Sequence, residues 1–306
     1  LTTTRACDKH NRLQSIASAQ ASAASSSSSL VYRGKYNAAK QRYRATLADG
    51  GYWVYDYNAL GQVPSGKRYW ADGAAVAGQQ FEYGFDQIGN RTSTKAGGDG
   101  SGQNLRPATY SPNALNQYGS RSVPGAIDVL GLANVNAAVI VNGQPGVARH
   151  GEYFWKELAV DNRTAPQYAA VRVDATLSGY TADTRMGNVY VPPASESFGP
   201  DFDGNLEGDS RWVYAWDGEN RLVRMDSRGL AAGEPQRRLE FGYDHQGRRT
   251  RKVVTNVQTG AQTEIRFVYD GWNLVAELDA SVNPAAPVVR RTSRVQIYRP
   301  RTASSC

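Results

Sequence analysis

Carboxylates stand beside aromatic rings at many points of this chain, as in Trp216-Asp217-Gly218-Glu219-Asn220-Arg221-Leu222. A ring on which a sugar stacks, next to a carboxylate acting as acid, base or nucleophile, is the raw material of a glycoside-cleaving site. That chemistry needs a second carboxyl across a cleft, and Glu152, Glu157, Glu207 and Glu219 have no context that marks one. Other reactive types are sparse. His10, His150 and His245 lack the close spacing of metal ligands. Cys7 and Cys306, one near each end, make neither a disulfide framework nor a ligand cluster. Asp201, Asp203 and Asn205 open like a calcium loop, but Leu206 and Trp212 stand where that loop needs Gly and Glu. The glycines of "GGDGSG", 97–102, lack the Lys-Ser/Thr pair and following helix of a phosphate loop. The residue types predict no catalytic group, metal or cofactor.

The elements that would position these residues explain them better. Aligned on the Asp, one frame recurs: Tyr57-Asn58 with Gly61, Phe85-Asp86 with Gly89, Trp216-Asp217 with Asn220, Tyr243-Asp244 with Gly247, and Tyr269-Asp270 with Asn273. Four eroded copies fit it. Asp8 follows Cys7 in the aromatic slot, and Asn37 has Lys40 in the Gly/Asn slot; Asn113 with Asn116 and Asp201 with Gly204 each follow a proline. The anchors are 29, 21, 28, 27, 88, 16, 27 and 26 residues apart, so the 88-residue interval contains an insertion. An Asp or Asn side chain accepts amide hydrogen bonds two residues on, and Gly or Asn three residues on tolerates positive φ. Before the anchors, Tyr55 and Tyr57, Tyr83 and Phe85, Tyr214 and Trp216, Phe241 and Tyr243, and Phe267 and Tyr269 alternate with the period of a strand. Each unit reads as strand, tight turn, strand.

In "FEYGFDQIGNR", "VYAWDGENRL" and "FGYDHQGRRTRKV" this frame resembles the RHS/YD-repeat proteins over roughly 5–119 and 197–280. The resemblance implies a β-sheet spiral forming part of a hollow shell, within a large secreted or cell-surface protein of bacterial polymorphic-toxin type. It implies as partners the remainder of that shell and a C-terminal cargo, with catalysis left to the cargo. No D-P-x-G segment of the kind that ends such shells is present, and the tail "RRTSRVQIYRPRTASSC" leaves the frame.

The expected architecture is all-β. Two blocks of YD-type hairpin repeats, 1–120 (with a Ser-rich loop at 21–29) and 197–280, flank an inserted domain at 121–196, and an irregular tail follows at 281–306. Alternating runs at Ala138–Val141, Tyr153–Val160 and Ala169–Ala175 predict a small β-sandwich for the insertion, resembling Ig-like accessory domains. Composition agrees: 18 Tyr and 6 Trp against 7 Phe and 2 Met suit half-buried strand surfaces. The net charge of +7 is scattered, with no basic run that would mark a nucleic-acid surface. No apolar run reaches the length of a membrane span, and the first residues, "LTTTRACDKHNRLQ", have no signal-peptide pattern. The chain reads as part of something longer. The expected function is structural and non-enzymatic. The alternative is carbohydrate binding to cell-surface glycans, by the insertion or by stacking on Tyr55, Tyr57, Tyr83, Phe85, Tyr214, Trp216, Tyr243 and Tyr269 beside arginines.

Overall fold

The computed structural model describes residues 2–19 and 30–279. The Ser-rich stretch at 21–29, the tail at 281–306 and Cys306 lie outside the described residues. Every regular element among the described residues is a β-strand. The paired strands are antiparallel, and the sheets do not close into barrels. The described residues divide into two compact units, one within 2–109 with 147–156, the other 110–146 with 157–279.

In the first unit consecutive strands pair in order. They are β1 (Thr2–Cys7), β2 (Leu13–Ala19), β3 (Leu30–Tyr36), β4 (Arg42–Thr46), β5 (Tyr52–Asp56), β6 (Ser65–Tyr69), β7 (Ala75–Phe85), β8 (Arg91–Gly97) and β9 (Leu105–Pro112), whose last residues belong to the second unit. Glycines and alternating aromatics set this meander up, since each turn is short enough to return the chain against the strand just left.

Strand β10 (Tyr118–Ser122) returns against β9, and then the insertion begins. It contains β11 (Ala126–Leu132), β12 (Ala138–Val141), β13 (Ala148–His150), β14 (Tyr153–Ala159), β15 (Gln167–Thr176) and β16 (Asp183–Val191). β13 and the first half of β14 belong to the first unit, where the Tyr153 hydroxyl donates to the Ala77 carbonyl at 2.7 Å. In the second unit β12, β15 and β16 form a three-stranded sheet, with Val141 and Val171 buried. Then come β17 (Ser195–Ser197), β18 (Gly199–Pro200), β19 (Leu206–Gly208), β20 (Trp212–Trp216), β21 (Leu222–Ser227), β22 (Arg237–Tyr243), β23 (Arg249–Asn256), β24 (Gln262–Asp270) and β25 (Asn273–Asp279). β18 to β25 again pair in chain order.

The insertion is clamped at its two ends. β17 pairs with β10, Arg121 opposite Glu196 and Ser122 opposite Ser195, and the Val123 amide then donates to the Ala194 carbonyl at 2.9 Å. The 88-residue interval therefore ends with β17 beside β10, where that sheet stops, and β18 to β25 form a sheet of their own.

Cores are small and valine-rich. Val76 in the first unit and Val129, Val141, Val171 and Val253 in the second are buried, with few aromatics beside them. Most of the Tyr and Trp rings are half-buried on sheet faces, where a ring covers backbone and keeps its polar end free for a partner.

Candidate functional site

The repeated turn is one device. At Asp86 the backbone amide donates to the Asn90 carbonyl at 2.9 Å, and the Gly89 amide donates back to the Asp86 carbonyl. The Asp86 carboxylate accepts the amides of Ile88 (3.1 Å) and Asn90 (2.8 Å) on one oxygen and the Asn90 side-chain amide (2.9 Å) on the other. The same backbone bonds close the turns at Asp8, Asn37, Asn58, Asn113, Asp201, Asp217 and Asp244. In each the fourth residue has positive φ: Asn11, Lys40, Gly61, Gly89, Asn116, Gly204, Asn220 and Gly247. Lys40 takes that conformation with φ 64° despite its side chain.

The last unit departs from this expectation. Asp270 pairs directly with Asn273 across a two-residue loop, and the residue of positive φ is Gly271, not Asn273. A glycine directly after the anchor lets the chain reverse one residue sooner, so Asn273 starts β25. Conversely, "GGDGSG" contains a turn that the repeat frame passed over. The Asp99 carboxylate accepts the amides of Ser101 (2.8 Å) and Gln103 (3.0 Å), and Gly102 has φ 73°. Its missing aromatic hid it. The Asp-x-x-Gly core alone would have found it.

The residue four beyond each anchor carries a pattern not read from the sequence. Asn37, Asn58 and Asn113 each donate a side-chain amide to a Gln four residues on, Gln41, Gln62 and Gln117, at 2.8, 2.6 and 2.9 Å. Asp8, Asp217 and Asp244 instead receive the guanidinium of Arg12, Arg221 and Arg248, and Asp86 and Asp201 receive the amide of Asn90 and Asn205. An ionised carboxylate only accepts, so its partner must donate; a carboxamide anchor can donate to a glutamine oxygen. The Arg12 side chain holds the Asp8 carboxyl down at about 2. Bonds from the Asn90 side chain lower Asp86, and the Arg221 amide and guanidinium lower Asp217. At Asp244 burial pushes upward, but the Arg248 bonds prevail and the carboxyl is lowered.

These fourth residues also link one turn to the next. Arg12 reaches the Asn37 carbonyl at 3.5 Å, Arg221 the Asp244 carbonyl at 3.5 Å, Arg248 the Gly271 carbonyl, and Asn205 the Asn220 side chain at 2.9 Å. Where the residue before the anchor is Tyr or Trp, it answers in the other direction. The hydroxyls of Tyr36, Tyr57, Tyr243 and Tyr269 donate to the carbonyls of Leu13, Arg42, Leu222 and Arg249 in the preceding unit, at 2.8, 2.9, 2.8 and 3.0 Å. The Trp216 indole does the same to Leu206 at 2.9 Å. Arg12, Arg221 and Arg248 lie over the rings of Tyr36, Tyr243 and Tyr269, at 4.8, 5.3 and 5.3 Å. Consecutive turns therefore form a ladder of brackets. The turns on the two sides of the insertion are also neighbours, since a Cβ added to Gly204 would stand 3.3 Å from the Gln117 side chain.

All eight rings proposed to stack ligands are half-buried. Tyr57, Trp216, Tyr243 and Tyr269 direct their polar ends into these brackets. Tyr214 donates to the Asp209 carboxylate at 2.9 Å, and burial with that carboxylate pushes its hydroxyl far up. Tyr55 lies parallel to Trp53, and Tyr83 and Phe85 lie on β7.

A second group of polar residues, missed in the sequence, gathers in the second unit beside the insertion's ends. Arg121 grips one buried Glu196 oxygen through Nε (2.7 Å) and a terminal nitrogen (2.6 Å); Ser210 occupies the other. Arg211 holds buried Glu234 at 2.5 Å, and the second oxygen of Glu234 is buried without a partner. Buried Asn162 donates to both the Val123 (3.1 Å) and Pro192 (2.8 Å) carbonyls, tying the two ends of the insertion together. Removing one partner of a buried ion pair is costly, because it strands the other's charge away from water. Asn162 also floors a shallow recess of about 480 Å³ lined by Val123, Ala159, Val160, Arg163 and Ala194.

Among the described residues no group of three or more His, Cys, Asp or Glu comes together. His10 lies at a turn tip, its amide bonded to Asp8, and His245 occupies a variable turn position. His150 stacks on Trp70 at 4.6 Å and meets Asp72 at 2.9 Å. Asp201 spends its oxygens on the amides of Asp203 and Asn205 and on the Asn205 side chain.

No family model and no curated protein matches the chain. Among solved structures it is similar to two crystal structures of TcdB2-TccC3. The one with Cdc42 is 13% identical over 92% of this chain and 14% of that one, with a TM-score of 0.42. The one with TEV is 13% identical over 88% and 13%, with a TM-score of 0.40. A porin-like protein from Bacteroides uniformis gives 10% identity over 86% and 85%, with a TM-score of 0.26. The chain spans about a seventh of the length of the first of these.

Proposed function

We propose that this chain is a non-enzymatic structural segment of a larger RHS-like protein, secreted or displayed at a cell surface, whose hairpins form part of a wall around a C-terminal cargo. The observation that carries this reading is the bracket ladder. Every linking residue points to the unit before or after, so the motif's chemistry is spent on extending a sheet. A repeat array stabilised by its neighbours is suited to building a wall, because each added unit repeats the same interface. The toxin-type assignment rests on the frame shared with RHS/YD-repeat proteins.

The second reading, glycan binding, draws on a different observation. Trp53 lies parallel to Tyr55 at 6.3 Å and to Phe81 at 6.1 Å, three half-buried rings outside the brackets. A glycan-array screen of the chain separates the two. Absence of saturable binding is expected for wall material. Saturable binding lost in Trp53→Ala would replace the structural reading with the carbohydrate one.

A further inference from the structure

The sheet of the insertion in the second unit ends on β16, nine residues paired one-to-one with β15 without a bulge. This edge is internal to the sequence, so it does not depend on where the chain begins or ends. Its outward groups can be assigned. The Asn142 amide donates to the Arg172 carbonyl at 2.8 Å, and the Arg172 amide donates to the Asn142 side chain at 2.7 Å, so both backbone groups of Arg172 face β12. Backbone direction alternates along a strand, so Val171, Val173 and Ala175 face β16, and their partners Gly187, Arg185 and Asp183 face back. Thr184, Met186 and Asn188 therefore direct their amides and carbonyls away from the sheet. Among the described residues no turn or loop bond meets them.

Edge strands are ordinarily blunted by proline, a bulge, a cover, or charged side chains that repel a like strand, lysine above all. Asp183–Asn188 has no proline, lysine or bulge, and its two charges are of opposite sign. Asp183, Thr184, Arg185 and Met186 are all exposed whichever face they point to, Met186 at 77% and Tyr180 of the preceding turn at 75%. The charges on this edge do not repel a like strand, because Arg185 and Asp183 are opposite in sign and pair within the strand at 3.1 Å. Set antiparallel to its own copy about Thr184, the strand places Asp183 opposite Arg185 twice, the outward groups of Thr184 meet their own copy, and Met186 falls opposite Ala182, the residue just before β16.

We infer that the outer edge of β16 is a self-pairing site, at which a second copy of this chain adds its own β16 to form a continuous sheet. The occupant is argued from this charge complementarity. The paired stretch is short, so the association is weak and concentration-dependent.

Sedimentation velocity of the full chain, from low micromolar to several hundred micromolar, tests the site. Reversible dimerisation is expected. Met186→Pro deletes only an outward amide and no bond to β15, so it should leave strand content unchanged while weakening the dimer at least tenfold. Arg185→Glu places like charges opposite each other and should do the same; Asp183→Arg added to it should restore the dimer. A single monomeric species at every concentration overturns the proposal. So does a dimer that both variants leave intact, since it would form through another edge.

Discussion

At the scale of single residues, the turn imposes two separate demands, an acceptor at the anchor and a left-handed backbone three residues later. Gly247 has φ 77° and open space around its α-carbon, so a substitution there meets backbone strain alone. Gly247→Val should lower stability by about 1–2 kcal/mol, the cost of a left-handed residue carrying a Cβ. Lys40 endures that cost in the native chain at φ 64°, and Lys40→Gly should raise stability by about 1 kcal/mol. Urea midpoints of the three proteins decide both, and equal midpoints would refute the strain argument. The anchor carboxylates make a second prediction. Asp8, Asp86, Asp217 and Asp244 are lowered in the folded chain, so in acid the unfolded chain binds more protons than the folded one. Their contribution is whole above the ordinary aspartate range near about 4 and is lost as pH falls toward the folded values. Asp86→Asn with Asn90→Gln copies the Asn58–Gln62 pair, which has no such titration. That double variant should match the parent at pH 7 and lose less stability between pH 5 and 2. An unchanged acid slope would remove the anchors from the account.

At the scale of the element, several hairpins contain a skipped residue beyond the turn, while the Asn58 hairpin of β5 and β6 keeps one register throughout. The register shifts beside Tyr36, Phe85, Trp216, Tyr243 and Tyr269 leave Tyr43, Thr92, Val223, Thr250 and Val275 without a partner in the ladder. Bulges of this kind bend and twist a strand, and alternation alone does not reveal them, because the break falls on the return strand. The aromatic just before the anchor acts between elements. Tyr243→Phe would keep the ring under Arg221 and remove only the bond to the Leu222 carbonyl. A loss of about 0.5–1.5 kcal/mol is expected, with faster amide exchange in β21 and β22. Stability equal to the parent would mean that the bracket is geometry without energy.

At the scale of the whole molecule, the insertion and the ladder are separable in the second unit. The Val123 amide already donates to the Ala194 carbonyl, and removing Asn162 frees the Val123 carbonyl and the Ala194 amide for each other, so replacing residues 124–193 with Asn-Gly should close a two-residue hairpin there. The shortened chain is expected to keep exchange protection in β10 and β17. It should lose protection around Ala77, which the Tyr153 hydroxyl would no longer reach. Loss of protection in β10 would show that the insertion holds the ladder together.

What the amino-acid sequence determined by itself is local. An Asp or Asn anchor, a residue of positive φ and alternating rings dictate strand, turn and strand through contacts within about six residues, and eight of the nine anchors close the turn expected of them. The Asn-with-Gln and Asp-with-Arg or Asn pairing was also written there, in donor and acceptor chemistry four residues apart. Tertiary structure alone decided the rest. That Arg121 finds Glu196 and Gln117 lies against Gly204, across an 88-residue interval, depends on which strands become neighbours. Asn162 and Glu234 are ordinary residues until folding buries them. No local pattern marks such positions, because burial and long-range pairing are properties of the packed chain and not of any segment of it.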